Sequence, residues 1–330
     1  ALLELQGVSV RYQQAGGRGH DFAAVDDVGF SINPGEMLGL VGESGCGKTT
    51  LGRAILRLVP LAAGAVRWRG QRIDDLDPRR FRALRRELQL VFQDPGSCLD
   101  PRMTMAGSVA EPLRSLMPEL TAAGRRERAA RHLAEVGLPP ELAERYPHQL
   151  SGGQLQRARM ARALVVAPRL VGCDEPVSAL DVSVQGQIVN LLARIRRERG
   201  LASLFISHNL AVVARLCARI LVMYRGRIIE SAAREVLIHA PLHPYTRELL
   251  DAVPVLDAGA KRRVLARPVA RLPVEAVSGS VGCAFAARCP HVVARCQSQR
   301  PALQPAGDGR LVACHRAGEW PRGLPPLAPG

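Results

Sequence analysis

The chain has little lysine, few aromatic side chains and no long apolar run. Lysine occurs only at Lys48 and Lys261, so the net charge of +15 comes almost entirely from arginine. Aromatic residues make up 4% of the chain, too few for the stacking surface that single-stranded nucleic acids need, so we expect no nucleic-acid partner. No apolar run approaches the roughly 18 residues of a membrane span. The first residues also lack the basic start and apolar block of a signal peptide.

What the chain does contain is enough apolar residues for a sizeable core. Its 330 residues suggest about two domains, and 47% of them are hydrophobic. The arginine-rich charge favours an anionic membrane surface or a partner that tolerates positive charge. Eight cysteines in a chain whose first residues predict no signal peptide favour free thiols or a metal site over disulfides.

One of the two lysines lies in a glycine-rich stretch that is typical of phosphate binding. The stretch GESGCGKTT, residues 42–50, follows an apolar run and precedes a run with helical periodicity, which predicts a strand, a loop and a helix. Backbone N–H groups of such a loop surround phosphate oxygens, and the helix N-terminus adds favourable charge. Lys48 would reach the β- and γ-phosphates, and Thr49 would offer its hydroxyl to Mg²⁺. We therefore expect ATP to bind to Gly42, Ser44, Gly45, Cys46, Gly47, Lys48, Thr49 and Thr50.

A pair of carboxylates supplies the second part of the predicted site. In RLVGCDEP, residues 169–176, apolar residues lead into Asp174, as at the carboxyl end of a buried parallel strand. Asp174 is placed to hold Mg²⁺ directly or through water, and Glu175 is placed to polarise the attacking water. Together with the phosphate loop, this pair predicts an ATPase.

A second anion site opens the segment QLSGGQLQRARMARAL. Ser151, Gly152 and Gly153 precede a helical run, where free N–H groups and a hydroxyl bind anions. Combined with GESGCGKT and a strand ending in DE, this LSGGQ stretch resembles the signature of the ATP-binding-cassette ATPases. VFQD (91–94), SALD (178–181) and FISH (205–208) follow the order of that family. The likeness covers roughly residues 1–235.

This resemblance implies roles for further residues. Tyr12 would stack on adenine, and Gln93 would sense Mg²⁺, water and the membrane partner. Ser151, Gly152, Gly153 and Gln154 would contact the γ-phosphate bound by the opposite subunit. Asp181 would link the two sites, and His208 would hold the γ-phosphate. The implied catalytic set is Lys48, Gln93, Glu175 and His208, and the implied Mg²⁺ set is Thr49, Gln93 and Asp174.

The same likeness implies a fold class and a domain organisation. It implies an α/β fold: a RecA-like phosphate-loop ATPase core with an antiparallel β subdomain and an α-helical subdomain, plus a small cysteine-rich C-terminal extension. The expected ATPase domain spans 1–235, with its helical part at about 94–150, and the extension spans 236–330. Periodicity in VQGQIVNLLARIRRER predicts a long helix, and ILVMYRGRIIE predicts a hairpin.

Three segments resemble one subfamily in particular. PLHPYTRELLDAVP (241–254), QDPGSCLDPRMT (93–104) and DEPVSALDVSVQ (174–185) are similar to the oligopeptide/dipeptide importer ATPases. This likeness implies an ATP-hydrolysing subunit at the cytoplasmic face of the inner membrane that powers import of di- or oligopeptides. The implied partners are a second, related ATPase subunit, two transmembrane permease subunits and, indirectly, an extracytoplasmic peptide-binding protein.

Several alternatives stay open at this point. Cargo is selected outside this subunit, so nickel chelates, opines and glutathione are alternatives to peptides, and a homodimer is the alternative to a heterodimer of ATPase subunits. An ATPase of DNA maintenance from the same superfamily would carry a long coiled-coil or zinc-bearing insertion between the phosphate loop and the signature. This chain has only about a hundred residues there, which argues against that class.

Four cysteines near the C-terminus form the remaining candidate site. Four thiolates at one point need a cation, and a tetrahedral sulfur site indicates zinc or an iron–sulfur cluster. The spacing C-x5-C-x6-C-x17-C lacks the tight pairs of zinc sites, although His291 and His315 keep a mixed zinc site possible. Wide gaps suit four irons with one cysteine each. GCAF–ARC also resembles the C-terminal cysteine segment of dipeptide-importer ATPases, which implies a [4Fe–4S] cluster on Cys283, Cys289, Cys296 and Cys314.

Overall fold

Two β-sheets and the helices packed on them form the described part of the chain. The computed structural model describes residues 1–13, 22–92, 99–178, 180–252 and 281–319. Gln93 lies outside the described residues, as does Ala179 of the SALD run. Of the described helices, none combines the length and apolar character needed to cross a bilayer.

The described elements alternate between strands and helices along most of the chain. The strands are β1 (Leu3–Tyr12), β2 (Phe22–Ile32), β3 (Met37–Val41), β4 (Ala63–Trp68), β5 (Gln71–Arg72), β6 (Leu88–Val91), β7 (Leu170–Asp174), β8 (Ala202–Ser207), β9 (Arg219–Tyr224), β10 (Arg227–Ala233), β11 (Gln304–Pro305) and β12 (Leu311–Val312). The helices are α1 (Lys48–Ile55), α2 (Pro78–Leu84), α3 (Met105–Leu116), α4 (Ala122–Glu135), α5 (Gly152–Leu164), α6 (Val182–Arg199), α7 (Leu210–Leu216), α8 (Arg234–His239), α9 (Pro244–Asp251) and α10 (Ala294–Ser298). Short 3₁₀ helices cover Pro140–Leu142 and Pro147–Gln149.

The smaller sheet is antiparallel and contains the first two strands of the chain. Its strand order is β2-β1-β4-β5. The sequence of residues 1–36 predicts short strands with the loop QQAGGRGHD, but β1 and β2 are 10 and 11 residues long. The difference arises because irregularities interrupt the alternation of apolar residues without ending the strands. One of them is a register shift between Leu5 and Val8, at Gly7, whose φ of 58° suits glycine.

The larger sheet has a parallel centre that is buried on both faces. Its order is β11-β12-β10-β9-β3-β8-β7-β6, and the pairs from β9 to β6 are parallel. Every residue of β3, β7 and β8 is buried, as a sheet covered on two faces requires. In β3, Met37 and Val41 face one apolar core, and Leu38 and Leu40 face the other. The α/β class expected from the sequence is confirmed.

Three helices between β6 and β7 form a helical layer that carries the LSGGQ stretch. Residues of α3, α4 and α5 contribute to the same apolar core as one face of the larger sheet. Each helix begins at a hydroxyl side chain that accepts a backbone N–H: Thr104, Thr121 and Ser151. Such caps satisfy N–H groups that have no partner within the helix. The predicted long helix and hairpin are also present, as α6 and as β9 with β10.

The C-terminal residues pack against the larger sheet around one aromatic side chain. Phe285 is 2% exposed, and its ring centroid lies 5.4 Å from Tyr224, 5.6 Å from Tyr245 and 5.6 Å from His243. β12 pairs with β10, and β11 pairs with β12 at the edge of the sheet. The segment after residue 281 is therefore joined to the ATPase core by a sheet and by a buried aromatic cluster.

We expect Phe285→Ala to lower the free energy of unfolding by about 3–5 kcal/mol, because it removes a buried ring and leaves a cavity. Urea titration measures this change. Phe22→Ala is the control, because Phe22 is 48% exposed and its truncation should change stability by only about 0.5 kcal/mol. Equal losses in the two variants would contradict the docked position of the C-terminal segment.

Candidate nucleotide site

Three parallel strands bring three of the predicted catalytic residues, Lys48, Glu175 and His208, to one edge of the sheet. Val41 of β3 lies opposite Ser207 of β8, and Asp174 of β7 lies opposite Ile206 of β8. The residues that follow these strands therefore leave the sheet side by side. They are the phosphate loop, Glu175 and His208, and ligands of α/β sheets bind at this kind of edge.

The loop after β3 has the tight turns that the glycine pattern predicts. Gly45 and Gly47 have φ angles of 80° and 106°, which favour glycine. A Cβ at Gly47 would also collide with the backbone carbonyl of Ala24. Lys48 begins α1, and its buried Nζ donates to the carbonyl oxygens of Gly42 at 2.7 Å and Glu43 at 2.9 Å. The ammonium group is thus directed into the loop that surrounds it.

Thr49 and Asp174 form the next part of the site. The Thr49 hydroxyl donates to Asp174 Oδ1 at 3.1 Å, across 125 residues of sequence. Asp174 is 2% exposed, and burial raises the pKa of its carboxyl group, although the Thr49 hydrogen bond opposes the shift. A buried carboxylate beside a hydroxyl is a suitable oxygen pair for a hard divalent cation, whose charge would stabilise the ionised form.

Glu175 and His208 form a second hydrogen-bonded pair. Glu175 Oε1 accepts the backbone N–H of His208 at 3.0 Å, and Glu175 Oε2 lies 2.8 Å from His208 Nδ1. Glu175 is buried and has a φ of 50°, an uncommon angle for a residue with a side chain. The His208 side chain is 51% exposed, so its second ring nitrogen is accessible while the first is held by the glutamate.

The LSGGQ stretch lies on the helical layer with its polar groups exposed. Ser151 Oγ accepts the N–H of Gln154 at 3.3 Å, and Gln154 Oε1 accepts the N–H of Ser151 at 2.9 Å, which is a capping box. Ser151 and Gly152 are exposed, and Gly153 and Gln154 are half-buried. Among the described residues, no hydrogen bond joins this stretch to the phosphate loop. Within one chain, the described hydrogen bonds therefore do not connect these residues to Lys48.

Tyr12 and Asp181 lie at other points of the surface. Tyr12 ends β1 and is 42% exposed, with no ring contact to another described aromatic residue. Asp181 is exposed at the N-terminus of α6, and its side chain makes no capping hydrogen bond. Gln93 cannot be placed, since it lies outside the described residues.

The four C-terminal cysteines are free thiols that lie near one another. Burial raises the pKa of the Cys283 and Cys289 thiols, and negative charge on neighbouring cysteines raises it further. The same causes raise the pKa of Cys314 to about 11. Within the residues that the structure describes, no three or more His, Cys, Asp or Glu side chains are arranged to hold a metal ion. The predicted cluster is therefore not shown.

Two residues to which the sequence assigned no role contact the phosphate loop. Arg288 forms two hydrogen bonds with the carboxylate of Glu43, and Tyr245 accepts the backbone N–H of Glu43. Glu43 occupies a variable position of the loop pattern, and Arg288 lies more than 240 residues away. The only available signals were the HPYT stretch around Tyr245 and the arginine beside Cys289.

Two family models match the chain. The model described as ABC transporter matches residues 25–178, and the one described as oligopeptide/dipeptide transporter, C-terminal region, matches residues 229–296. The oligopeptide transport ATP-binding protein OppF of Escherichia coli is 44% identical over 92% of both chains. The probable peptide ABC transporter ATP-binding protein y4tS of Sinorhizobium fredii is 48% identical over 88% of this chain and 82% of its own.

The chain belongs to the ATP-binding proteins of oligopeptide and dipeptide ABC transporters. It is thus an ABC-type ATPase. Solved cassettes agree with this assignment. The ATP-binding cassette MJ0796, as a dimer in a post-hydrolysis state with ADP and Pi, superposes with a TM-score of 0.64 and 29% identity. The match covers 70% of this chain and 98% of that one.

Proposed function

We propose that this member of the family is the ATP-hydrolysing subunit of an importer of di- or oligopeptides. One observation supports ATP hydrolysis by this chain. Lys48, the Thr49–Asp174 pair and the Glu175–His208 pair lie together at one edge of the sheet. The peptide part rests on the two relatives that are named for peptide transport and on the match of residues 229–296.

In this proposal the residues after β3 bind the phosphates and Mg²⁺. Backbone N–H groups from Gly42 to Thr50 surround the β- and γ-phosphates, and Lys48 adds a positive charge. Thr49 and Asp174 would hold Mg²⁺, which neutralises negative charge on the phosphates when it is bound. The buried carboxylate of Asp174 fits that role, because it has little solvent to stabilise its charge.

Glu175 and His208 have separate roles in the proposed hydrolysis. The Glu175 carboxylate orients the attacking water and accepts its proton. His208 would reach the γ-phosphate with the ring nitrogen that Glu175 does not hold. The left-handed backbone at Glu175 sets the direction of its carboxylate as the chain leaves β7.

We expect Glu175→Gln to bind ATP normally and to hydrolyse it about 10²- to 10⁴-fold more slowly, because the amide is a poor proton acceptor at the attacking water. Steady-state ATPase rates and equilibrium binding of a fluorescent ATP analogue separate the two effects. Glu235→Gln is the control, since Glu235 is exposed and pairs with Arg234 on α8. Near-normal turnover in Glu175→Gln would assign the catalytic carboxylate elsewhere.

The exposed LSGGQ stretch supports a site that is completed by another subunit. Ser151 to Gln154 would contact the γ-phosphate bound by a second ATPase subunit, and Asp181 would connect the two sites. The structure of MJ0796 is dimeric. We propose a related but different ATPase chain as the partner, with a second copy of this chain as the alternative.

We expect the purified chain to have a low ATPase rate that rises with protein concentration, since each site lacks the partner's signature residues. Gel filtration combined with rate measurements on each fraction tests this. Lys48→Ala, which removes the ammonium group from the chain's own loop, sets the background rate. Full activity in monomeric fractions would contradict the shared site.

The position in the cell and the further partners follow from the family assignment in this proposal. The chain would bind two transmembrane permease subunits at the cytoplasmic face of the inner membrane. Gln93 and the helical layer would lie near these subunits. Tyr12 would stack on the adenine of ATP. An extracytoplasmic binding protein would deliver the peptide. Nickel chelates, opines and glutathione remain alternative cargoes.

We propose that the four C-terminal cysteines hold a [4Fe–4S] cluster, with zinc as the alternative. The donor chemistry fits, because four thiols free of disulfides interact electrostatically with one another. A bound cluster would supply cross-links among Cys283, Cys289, Cys296 and Cys314 in a segment with little core of its own. Its role in this proposal is structural.

We expect anaerobically purified protein to be brown and to contain about four irons per chain. The broad visible absorption should bleach on reduction, and Cys289→Ser should lose both colour and iron. Cys173→Ser is the control, because Cys173 is buried in β7 on the ATPase core. Colourless protein with stoichiometric zinc would establish the alternative, and metal content unchanged by Cys289→Ser would refute both.

A further inference from the structure

Among the described residues, hydrogen bonds from outside the ATPase core reach the phosphate loop at Glu43. All of its polar groups are engaged. Its carboxylate binds Arg288 at 2.8 and 2.9 Å, its N–H donates to the Tyr245 hydroxyl at 2.8 Å, and its carbonyl accepts from Lys48 at 2.9 Å. Glu43 is therefore held by the C-terminal region on one side and by the catalytic lysine on the other.

The Arg288 side chain, which binds the loop at Glu43, is held in place by further contacts. Its guanidinium also binds Glu248 on α9 and lies 5.5–5.9 Å from the ring centroids of Tyr224, Tyr245 and Phe285. Cation–π contacts and paired carboxylates each restrict such a side chain. The hydrogen bonds to Glu43 raise the pKa of Arg288 above its ordinary value, so the guanidinium remains charged.

The backbone around Arg288 is set by the cysteine segment. Arg288 lies immediately before Cys289, and its N–H donates to the carbonyl of Phe285, the buried aromatic residue, at 3.0 Å. The N–H of Cys283 in turn donates to the carbonyl of Cys296 at 2.7 Å. The position of the guanidinium thus depends on how this segment is folded and docked.

Tyr245 is fixed by a separate set of polar contacts. The buried carboxylate of Glu230 on β10 accepts the N–H groups of Leu242 and His243 at 2.7 and 2.9 Å. Burial lowers the pKa of His243 to about 3, so the ring is neutral, and its Nδ1 accepts the N–H of Tyr245 at 3.1 Å. Tyr245 is fully buried, with its hydroxyl at the loop.

We infer that Arg288 and Tyr245 are positioning residues that hold the phosphate loop in its ATP-binding conformation. The inference rests on the proposed role of the loop in binding ATP phosphates. A loop fixed at Glu43 loses less conformational freedom when ATP binds, so its affinity is higher. The C-terminal segment would thereby act on binding more than on the chemical step.

The test measures ATP binding and turnover for the full chain. Arg288→Met, which keeps the length and loses the charge, should raise the Kd of a fluorescent ATP analogue and the KM for ATP about three- to tenfold. The value of kcat should change less than about twofold, since no group at the reacting atoms is removed. A merely structural role would lower the folded fraction without changing the Kd.

Three further variants show whether the effect passes through Glu43. Tyr245→Phe removes only the hydroxyl that accepts the Glu43 N–H, and it should also raise the Kd. Arg288→Lys should restore part of the affinity. In a Glu43→Gln background, Arg288→Met should add little, because coupled residues give non-additive effects. Arg295→Met is the matched control, since exposed Arg295 binds only Gln299 of its own segment among the described residues.

The outcomes separate this inference from the proposed function. If Lys48→Ala abolishes ATP binding but neither Arg288→Met nor Tyr245→Phe changes the Kd, the positioning role is refuted. An equal effect of Arg288→Met with and without Glu43→Gln would also refute it. If Lys48→Ala binds ATP normally, the proposed role of the loop itself is wrong. Tyr245→Phe decides the question if Arg288→Met does not fold.

Discussion

The parallel pairing of β8 with β3 on one side and β7 on the other is the constraint on which the site depends. Because each of these strands runs in the same direction, their carboxyl ends meet at one edge. The register then sets the distances: Thr49 reaches Asp174 across 125 residues of sequence, and Glu175 reaches His208 across 33. A slip of one residue along β8 would turn His208 away from Glu175.

The chemistry of the nucleotide site was accessible from sequence because it uses short, contiguous patterns. The loop around Lys48, the Asp174–Glu175 pair and the cap at Ser151 each depend on neighbouring residues, and local rules predict them. The α/β class followed from the same runs. The roles assigned to Tyr12, Gln93 and Asp181 came from family likeness and remain predictions. No described hydrogen bond joins Tyr12 or Asp181 to the loop, and Gln93 lies outside the described residues.

Contacts between distant segments were not accessible in this way. Nothing in the residues near Glu43 indicates that its partner is Arg288, 245 positions later. The HPYT stretch resembles the importer ATPases, but the hydrogen bond from Glu43 to Tyr245 requires α9 to be docked on β10. The lengths of β1 and β2 were not predicted for a related reason. Irregular pairing depends on the neighbouring strand, so the local alternation of apolar residues does not indicate it.

The last two strands have a consequence for how the protein behaves in solution. β12 pairs with Glu230 and Ser231 in the middle of β10, and β11 then ends the sheet with only two residues, one of which is Pro305. A short edge with proline offers few free backbone groups to another chain. Without these strands the seven-residue β10 would be an open template for intermolecular pairing. The C-terminal segment therefore shortens the stretch of β10 that is open to such pairing.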